Sequence, residues 1–217
     1  MSENLIKRVF TSLILLSILS LCLFLNNYSW LLLVIIASII SFFEFNNLIK
    51  KIWKRKKTSI DFANLSCFFY LIFFTYTAFD FAQYSKEDML YVLFVCIFSD
   101  IGGYVVGKSI GGKKLTKISP NKTISGSIGS FLFSLIPYIF LLLIQEIPER
   151  NLYKLVFITL ILSFICQSGD LFISYFKRKA KVKDTGTILP GHGGLLDRID
   201  GIIFAIPGAF ILDKIFF

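Results

Sequence analysis

Two aspartates three residues apart, Asp197 and Asp200, close a glycine-rich stretch that also holds the chain's one histidine: Lys183-Asp184-Thr185-Gly186-Thr187-Ile188-Leu189-Pro190-Gly191-His192-Gly193-Gly194-Leu195-Leu196-Asp197-Arg198-Ile199-Asp200. At the start of a helix, that spacing projects both carboxylates to one side. Upstream, Asp170, Ser174 and Lys177 fall at i, i+4 and i+7, so one helical face carries a carboxylate, a hydroxyl and an ammonium. Snorkelling at a helix end accounts for Lys177 and Arg178 but not for Asp170. Three carboxylates of this kind suit Mg2+ carrying phosphates, and nearby Lys and Arg would stabilise charge on a departing pyrophosphate. The expected chemistry is phosphoryl or nucleotidyl transfer. Taken singly, a histidine among glycines is often only a loop residue and an aspartate at a helix start only a cap. Their joint occurrence carries the reading.

A second polar stretch precedes this one. Asp100-Ile101-Gly102-Gly103-Tyr104-Val105-Val106-Gly107-Lys108 has Gly103 and Gly107 as a small-xxx-small pair, which lets two helices approach closely. After it come Ser109-Ile110-Gly111-Gly112-Lys113-Lys114 and Ser119-Pro120-Asn121-Lys122-Thr123. Such residues near a helix start can hold phosphate through backbone amides and an ammonium. The pattern GxxxxGK[ST] is absent, so ordinary nucleoside triphosphate hydrolysis is not indicated.

The elements that must position these groups are strongly apolar. The 217 residues are 55% hydrophobic, include 25 Phe and have a mean hydropathy of +0.73, beyond the roughly 45–50% apolar content of soluble domains. Seven apolar runs, 9–25, 30–49, 63–83, 89–108, 127–144, 153–176 and 199–217, are each about long enough to cross a bilayer. An all-α polytopic membrane protein of about seven spans is expected, as a single membrane domain over 1–217. Residues 97–217 bear the motifs, and 1–96 serve mainly as scaffold. The first run continues to Leu25 and meets Asn26-Asn27-Tyr28 with no small-x-small cleavage site, which favours a retained helix over a signal peptide.

With the N-terminus cytoplasmic, basic residues concentrate in alternate loops: Lys7 and Arg8, then Lys50 to Lys57, Lys108 to Lys122, and Lys177 to Arg198. The opposite side keeps only Lys86, Arg150, Lys154 and Lys214. This positive-inside asymmetry sets the orientation and puts both polar stretches on the cytoplasmic face. The formal net charge of +9 then faces anionic lipid headgroups, and no nucleic-acid partner is expected. Glu44, Asp80, Asp100 and Asp170 lie in or near apolar runs, where an ionisable group is functional unless the interface solvates it. Cys22, Cys67, Cys96 and Cys166 sit in apolar runs without CxxC spacing and read as packing residues.

At these residues the sequence resembles the phosphatidate cytidylyltransferase (CDP-diacylglycerol synthase) family. The family pattern S-x-φ-K-R-x4-K-D-x-G-x2-φ-P-x-H-G-G-φ-x-D-R-φ-D is met from Ser174 to Asp200. The Asp100–Lys108 segment is similar to the family's D-x-x-A-Y-x-x-G-R/K, with Gly103 for alanine, and Ser119–Thr123 to its S-P-x-K-T. Glu44 sits where members commonly carry a glutamate. Ser125 stands where the family has an acidic residue, and the chain is short for the family, as if one or two peripheral helices were missing.

The resemblance implies transfer of CMP from CTP to phosphatidic acid, giving CDP-diacylglycerol and pyrophosphate. It implies Asp170, Asp197 and Asp200 as the ligands of Mg2+, with room for a monovalent cation such as K+ in a second position. It makes Lys177, Arg178 and His192 catalytic. Asp100, Ser119, Lys122, Thr123, Ser174, Lys183, Asp184, Gly193, Gly194 and Arg198 become substrate-binding. A homodimer in a bacterial inner membrane, contacting membrane lipids and with its site facing the cytoplasm, is also implied. The rivals are a CTP-dependent polyprenol or phytol kinase, a small transporter using Asp100 and Asp170 for a coupling cation, and an inactive relative.

Overall fold

The computed structural model describes residues 3–54, 56–144, 149–189 and 193–216, with side chains in 3–13, 144 and 149–151 left aside. The described residues form helices α1 (Glu3–Leu25), α2 (Asn27–Ile52), α3 (Lys57–Tyr84), α4 (Lys86–Ile110), α5 (Ile124–Ser134), α6 (Ile136–Ile144), α7 (Glu149–Lys179), α8 (Leu196–Ile199) and α9 (Ile202–Phe216). Among them no strand occurs, only isolated bridges between Lys114 and Thr123 and between Leu189 and Gly193.

Five segments are long and apolar enough to cross a membrane: Asn27–Ile52, Lys57–Tyr84, Lys86–Ile110, Ile124–Leu143 and Leu152–Lys179. The protein is therefore a multi-pass membrane protein. The expected runs at 9–25 and 199–217 fall on α1 and α9. Helix α9 has 15 residues, a rise of about 22 Å against about 30 Å of hydrocarbon, and a turn at Asp200-Gly201 separates it from α8.

The chain divides into two compact units, Met1–Lys86 with Phe176–Ile199, and Glu87–Tyr175 with Asp200–Phe217. In the first, α1 gives way to α2 at Asn26, whose extended backbone breaks the helix. Asn26 and Ser29 then cap α2 reciprocally, the Ser29 amide donating to Asn26 Oδ1 at 2.7 Å. Helices α2 and α3 pair antiparallel. Trp30 Nε1 donates to the Ala78 carbonyl at 2.9 Å, Ser38 and Thr75 share a hydrogen bond at 2.8 Å, and Asn64 donates to Asn46 at 3.0 Å. The buried stripe of α2 runs Trp30, Val34, Ser38, Ser41, Glu44, Phe45 and Leu48. Its other face stays apolar and exposed, with Leu32 and Phe43 each 59% accessible, as expected of a helix facing lipid tails. Phe45 meets the Phe176 ring edge-on at 5.2 Å, fixing α2 against the end of α7.

In the second unit, α4 crosses α5 on glycine. A Cβ at Gly102 would collide with the Gly129 carbonyl and the Phe133 side chain, and one at Gly103 with Ser130. The small-xxx-small reading of this stretch is therefore a helix contact. Helices α4 and α7 run in the same direction: Tyr91 bonds Thr159, and further along Ser99 bonds Ser163 at 3.0 Å. Ser127 on α5 donates to Gln167 on α7 at 2.6 Å. Hydroxyls buried in apolar helices need such partners, since no water can serve them.

Candidate active site

In the first unit the site is a loop folded around two carboxylates. Helix α7 ends after Lys179 in a reversal with Lys181 in the left-handed region (φ 57°). The Val182 amide reaches back to the Lys177 carbonyl at 3.0 Å and the Lys181 amide to that of Arg178 at 3.1 Å, the bonding pattern of a Schellman cap. That cap ends the helix abruptly and sends the chain back along it. Lys177 Nζ donates to Asp197 Oδ1 at 2.7 Å. The other oxygen, Oδ2, accepts from the Thr185 amide at 2.7 Å, the Thr185 hydroxyl at 3.0 Å and the Gly194 amide at 3.0 Å. Burial pushes the Asp197 carboxyl up. The Lys177 hydrogen bond, the Thr185 amide, the Lys177 charge and the Gly194 amide outweigh it and hold the group below its ordinary value.

Glu44, 3% exposed on α2, is the second carboxylate. Its Oε2 accepts from the Thr185 hydroxyl at 2.9 Å and the Leu196 amide at 2.8 Å, and its Oε1 from the Leu195 amide at 3.0 Å. Gly186 and Gly194 pack directly on this carboxylate and leave no room for a Cβ. Gly193 has φ 85°, and its backbone lies against Asp184 and Asp197. Gly186, Gly193 and Gly194 thus serve close packing on carboxylates.

In the second unit Asp170 pairs with Lys122 and accepts from Ser174 Oγ at 3.2 Å. The expected stripe on α7 is real over Asp170 and Ser174. Lys122 is presented by a turned segment. Its amide bonds the Ser119 carbonyl at 3.1 Å, its carbonyl accepts from Leu115 at 2.8 Å, and the Ile124 amide bonds the Lys113 carbonyl at 3.0 Å. Thr123 caps α5 through Gly126 at 3.0 Å. Ser125, in the place of the family's acidic residue, donates to the Gly111 carbonyl and bonds the Thr123 hydroxyl, so here it closes the turned segment. Asp200 occupies the turn before α9 and accepts from the Gly201 amide at 2.9 Å. Gly169 lies against the Asp200 carbonyl at a distance that excludes any side chain, so the residues bearing the Asp170 and Asp200 carboxylates are neighbours.

One expectation is corrected. Asp197 and Asp200 do not open a single helix: α8 ends at Ile199 and Asp200 lies in the following turn. The Asp200-Gly201 pair interrupts the helix, and the Asp197 carboxylate is drawn back into its own loop by four donors. Among the described residues no three His, Cys, Asp or Glu side chains converge to hold a metal ion. Asp100, Arg178, Lys183, Asp184 and Arg198 are exposed, and Ser119 is half-buried. His192, with Pro190 and Gly191, lies outside the described residues. The residue that sequence reasoning left without a role is Glu44. Its signal was a carboxylate in an apolar run, and its partners are mostly backbone amides.

The sequence model described as the cytidylyltransferase family matches residues 46–216. The phosphatidate cytidylyltransferase of Bacillus subtilis (strain 168) is 39% identical over 154 residues, covering 69% of this chain and 54% of that protein. Those of Staphylococcus haemolyticus (strain JCSC1435) and Staphylococcus aureus (strain COL) are each 47% identical over 120 residues, covering 55% of this chain and 46% of theirs. The chain spans about half the length of the curated relatives it matches. With a matched region that starts on α2 just after Glu44 and runs through Asp170, Asp197 and Asp200 to α9, the chain belongs to the cytidylyltransferase family.

Proposed function

We propose that this protein is a phosphatidate cytidylyltransferase. A phosphate oxygen of phosphatidic acid attacks the α-phosphorus of CTP, the bond from that phosphorus to the bridging oxygen breaks, and pyrophosphate leaves with the bonding electrons. The observation that carries the reading is the Lys177–Asp197 pair, 2.7 Å apart, which ties the end of α7 to α8 within the family match. It presents an oriented ammonium at the C-terminal end of a membrane-spanning helix. Lys177 would bind phosphate oxygens and stabilise the charge developing on pyrophosphate, and Lys122, within the second unit, offers a phosphate-binding ammonium of its own. Asp197, saturated by its own loop, would orient Lys177. The donor set supports a divalent cation on Asp170 and Asp200, since Mg2+ commonly takes one or two carboxylates and completes its shell with water and substrate phosphate. When bound, Mg2+ supplies neutralisation of triphosphate charge and polarisation of the phosphoryl oxygens. The charge asymmetry of the loops supports a cytoplasmic-facing site in a bacterial inner membrane, and the family likeness supports a homodimer.

The test is purified protein with phosphatidic acid, Mg2+ and CTP labelled separately at the α- and γ-phosphates. Label from the α position in the lipid product, with γ-label released as pyrophosphate, is expected. The activity should vanish with EDTA and return with Mg2+. Label from the γ position in an added isoprenoid alcohol would overturn the reading in favour of a kinase.

A further inference from the structure

Glu44 lies on α2, in a stretch that sequence reasoning assigns to scaffold, and none of the chemistry above uses it. It is buried to 3% exposure in a helix whose other buried groups are apolar or small hydroxyls. An ionisable group there is expensive and persists only where something pairs with it. What pairs with it is the loop between α7 and α8, at both ends: the Thr185 hydroxyl near its start, and the Leu195 and Leu196 amides where α8 begins. Gly186 and Gly194 flank the same carboxylate so closely that neither can carry a side chain. A simple cap for α8 would need the two amides and would explain neither Thr185 nor the two glycines.

Thr185 links this carboxylate to the second one. Its hydroxyl lies 2.9 Å from Glu44 Oε2 and 3.0 Å from Asp197 Oδ2, while its amide donates to Asp197 at 2.7 Å. One hydroxyl proton serves both carboxylates, so any displacement of Glu44 is felt at Asp197 and through it at Lys177. We infer that Glu44 is a positioning residue: from within the membrane-spanning α2 it fixes the loop that carries Asp197, and thereby the place of the Lys177 ammonium, without itself touching substrate. The inference rests on the reaction proposed above for its consequence in turnover. The anchoring itself is readable without any reaction.

The experiment uses the whole protein in detergent or nanodiscs, as wild type, Glu44→Gln, Thr185→Val and the double variant. Hydrogen exchange is followed across 185–196, and kcat for cytidylyl transfer is measured alongside. A glutamine keeps the shape but turns a donor toward Thr185 or Leu196. Exchange across 185–196 should therefore accelerate while α2 and α3 stay protected, and kcat should fall about 100-fold, the scale of a 1 Å misplacement of a reacting group. Because both residues act through one contact, the double variant should lose no more than the more damaged single variant. Unchanged exchange, faster exchange with unchanged kcat, or losses that multiply would each overturn the inference. Should Glu44→Gln fail to insert, Thr185→Val reads the same contact from the loop side. A wild type that transfers no cytidylyl group would overturn the proposed reaction, and the exchange result would still decide the anchor.

Discussion

Asp197 and Glu44 in the first unit hold backbone amides of their loop, those of Thr185, Gly194, Leu195 and Leu196, together with the Thr185 hydroxyl. In the second unit Asp170 meets a lysine ammonium and a serine hydroxyl, both at the ends of side chains. A backbone amide cannot turn away without unfolding the loop, whereas an ammonium on four methylenes can swing aside at the expense of one exposed or half-exposed ion pair. One functional group thus takes two roles according to what donates to it. The first pair of carboxylates sets the shape of the loop. Asp170 rests on side-chain partners that a rotation about single bonds can release.

Several substitutions would break or sharpen that contrast. Asp170→Asn should cut kcat by about 1,000-fold, the scale of losing a preorganised charged group, with a melting temperature in detergent close to wild type. Near-normal transfer would end the contrast. Asp197→Ala should act on stability as well as turnover. It leaves Lys177, 12% exposed, without its counter-charge and the Thr185 and Gly194 amides without an acceptor. A loss of about 3 kcal/mol is expected, read as a lowered melting temperature. Lys122→Met should change stability by less than about 1 kcal/mol, because the pair is partly exposed. It should instead raise the KM for CTP, measured with α-labelled nucleotide. A lowered stability with unchanged KM would make that lysine structural.

The smallest effect concerns acid. The Asp197 carboxyl lies below its ordinary value of 3.8, so its contribution is present above that value. It is lost as pH falls through the lowered folded value. Exchange at the Thr185 and Gly194 amides, corrected for intrinsic rate, should stay slow through mild acid and speed up only below about pH 4. In Asp197→Asn that acid-dependent step should be missing.

Much of the architecture is legible in the residues, because hydrophobic length survives any error in detail. Five of the apolar runs fall on helical segments able to span a membrane, and the Gly103 and Gly107 pair packs helix on helix as its spacing indicates. The stripe of Asp170 and Ser174 follows from helical period alone. What escaped depends on the backbone. The Asp200-Gly201 break divides a run that hydropathy reads as continuous, since a turn of two residues scarcely alters an average over eighteen. The partners of Glu44 are amides of Leu195 and Leu196, and apolar side chains advertise nothing about the hydrogen-bonding duty of their own main chain. Contacts across about 150 positions in sequence are set by packing, which no local pattern encodes.

The three glycines that lie against Glu44, Asp184 and Asp197 have a consequence for how this loop can vary. Any single-base missense change in a glycine codon introduces at least a Cβ, and at 186, 193 and 194 that atom lands on a carboxylate, a hydroxyl or a strained backbone. Those positions have no neighbouring tolerated variants to step through. In a saturation-mutagenesis library they should be empty of survivors, while the exposed Thr187 and Ile188 between them accept most replacements. Change in this loop would then have to be written in its exposed stretch, with the glycine frame carried along unchanged.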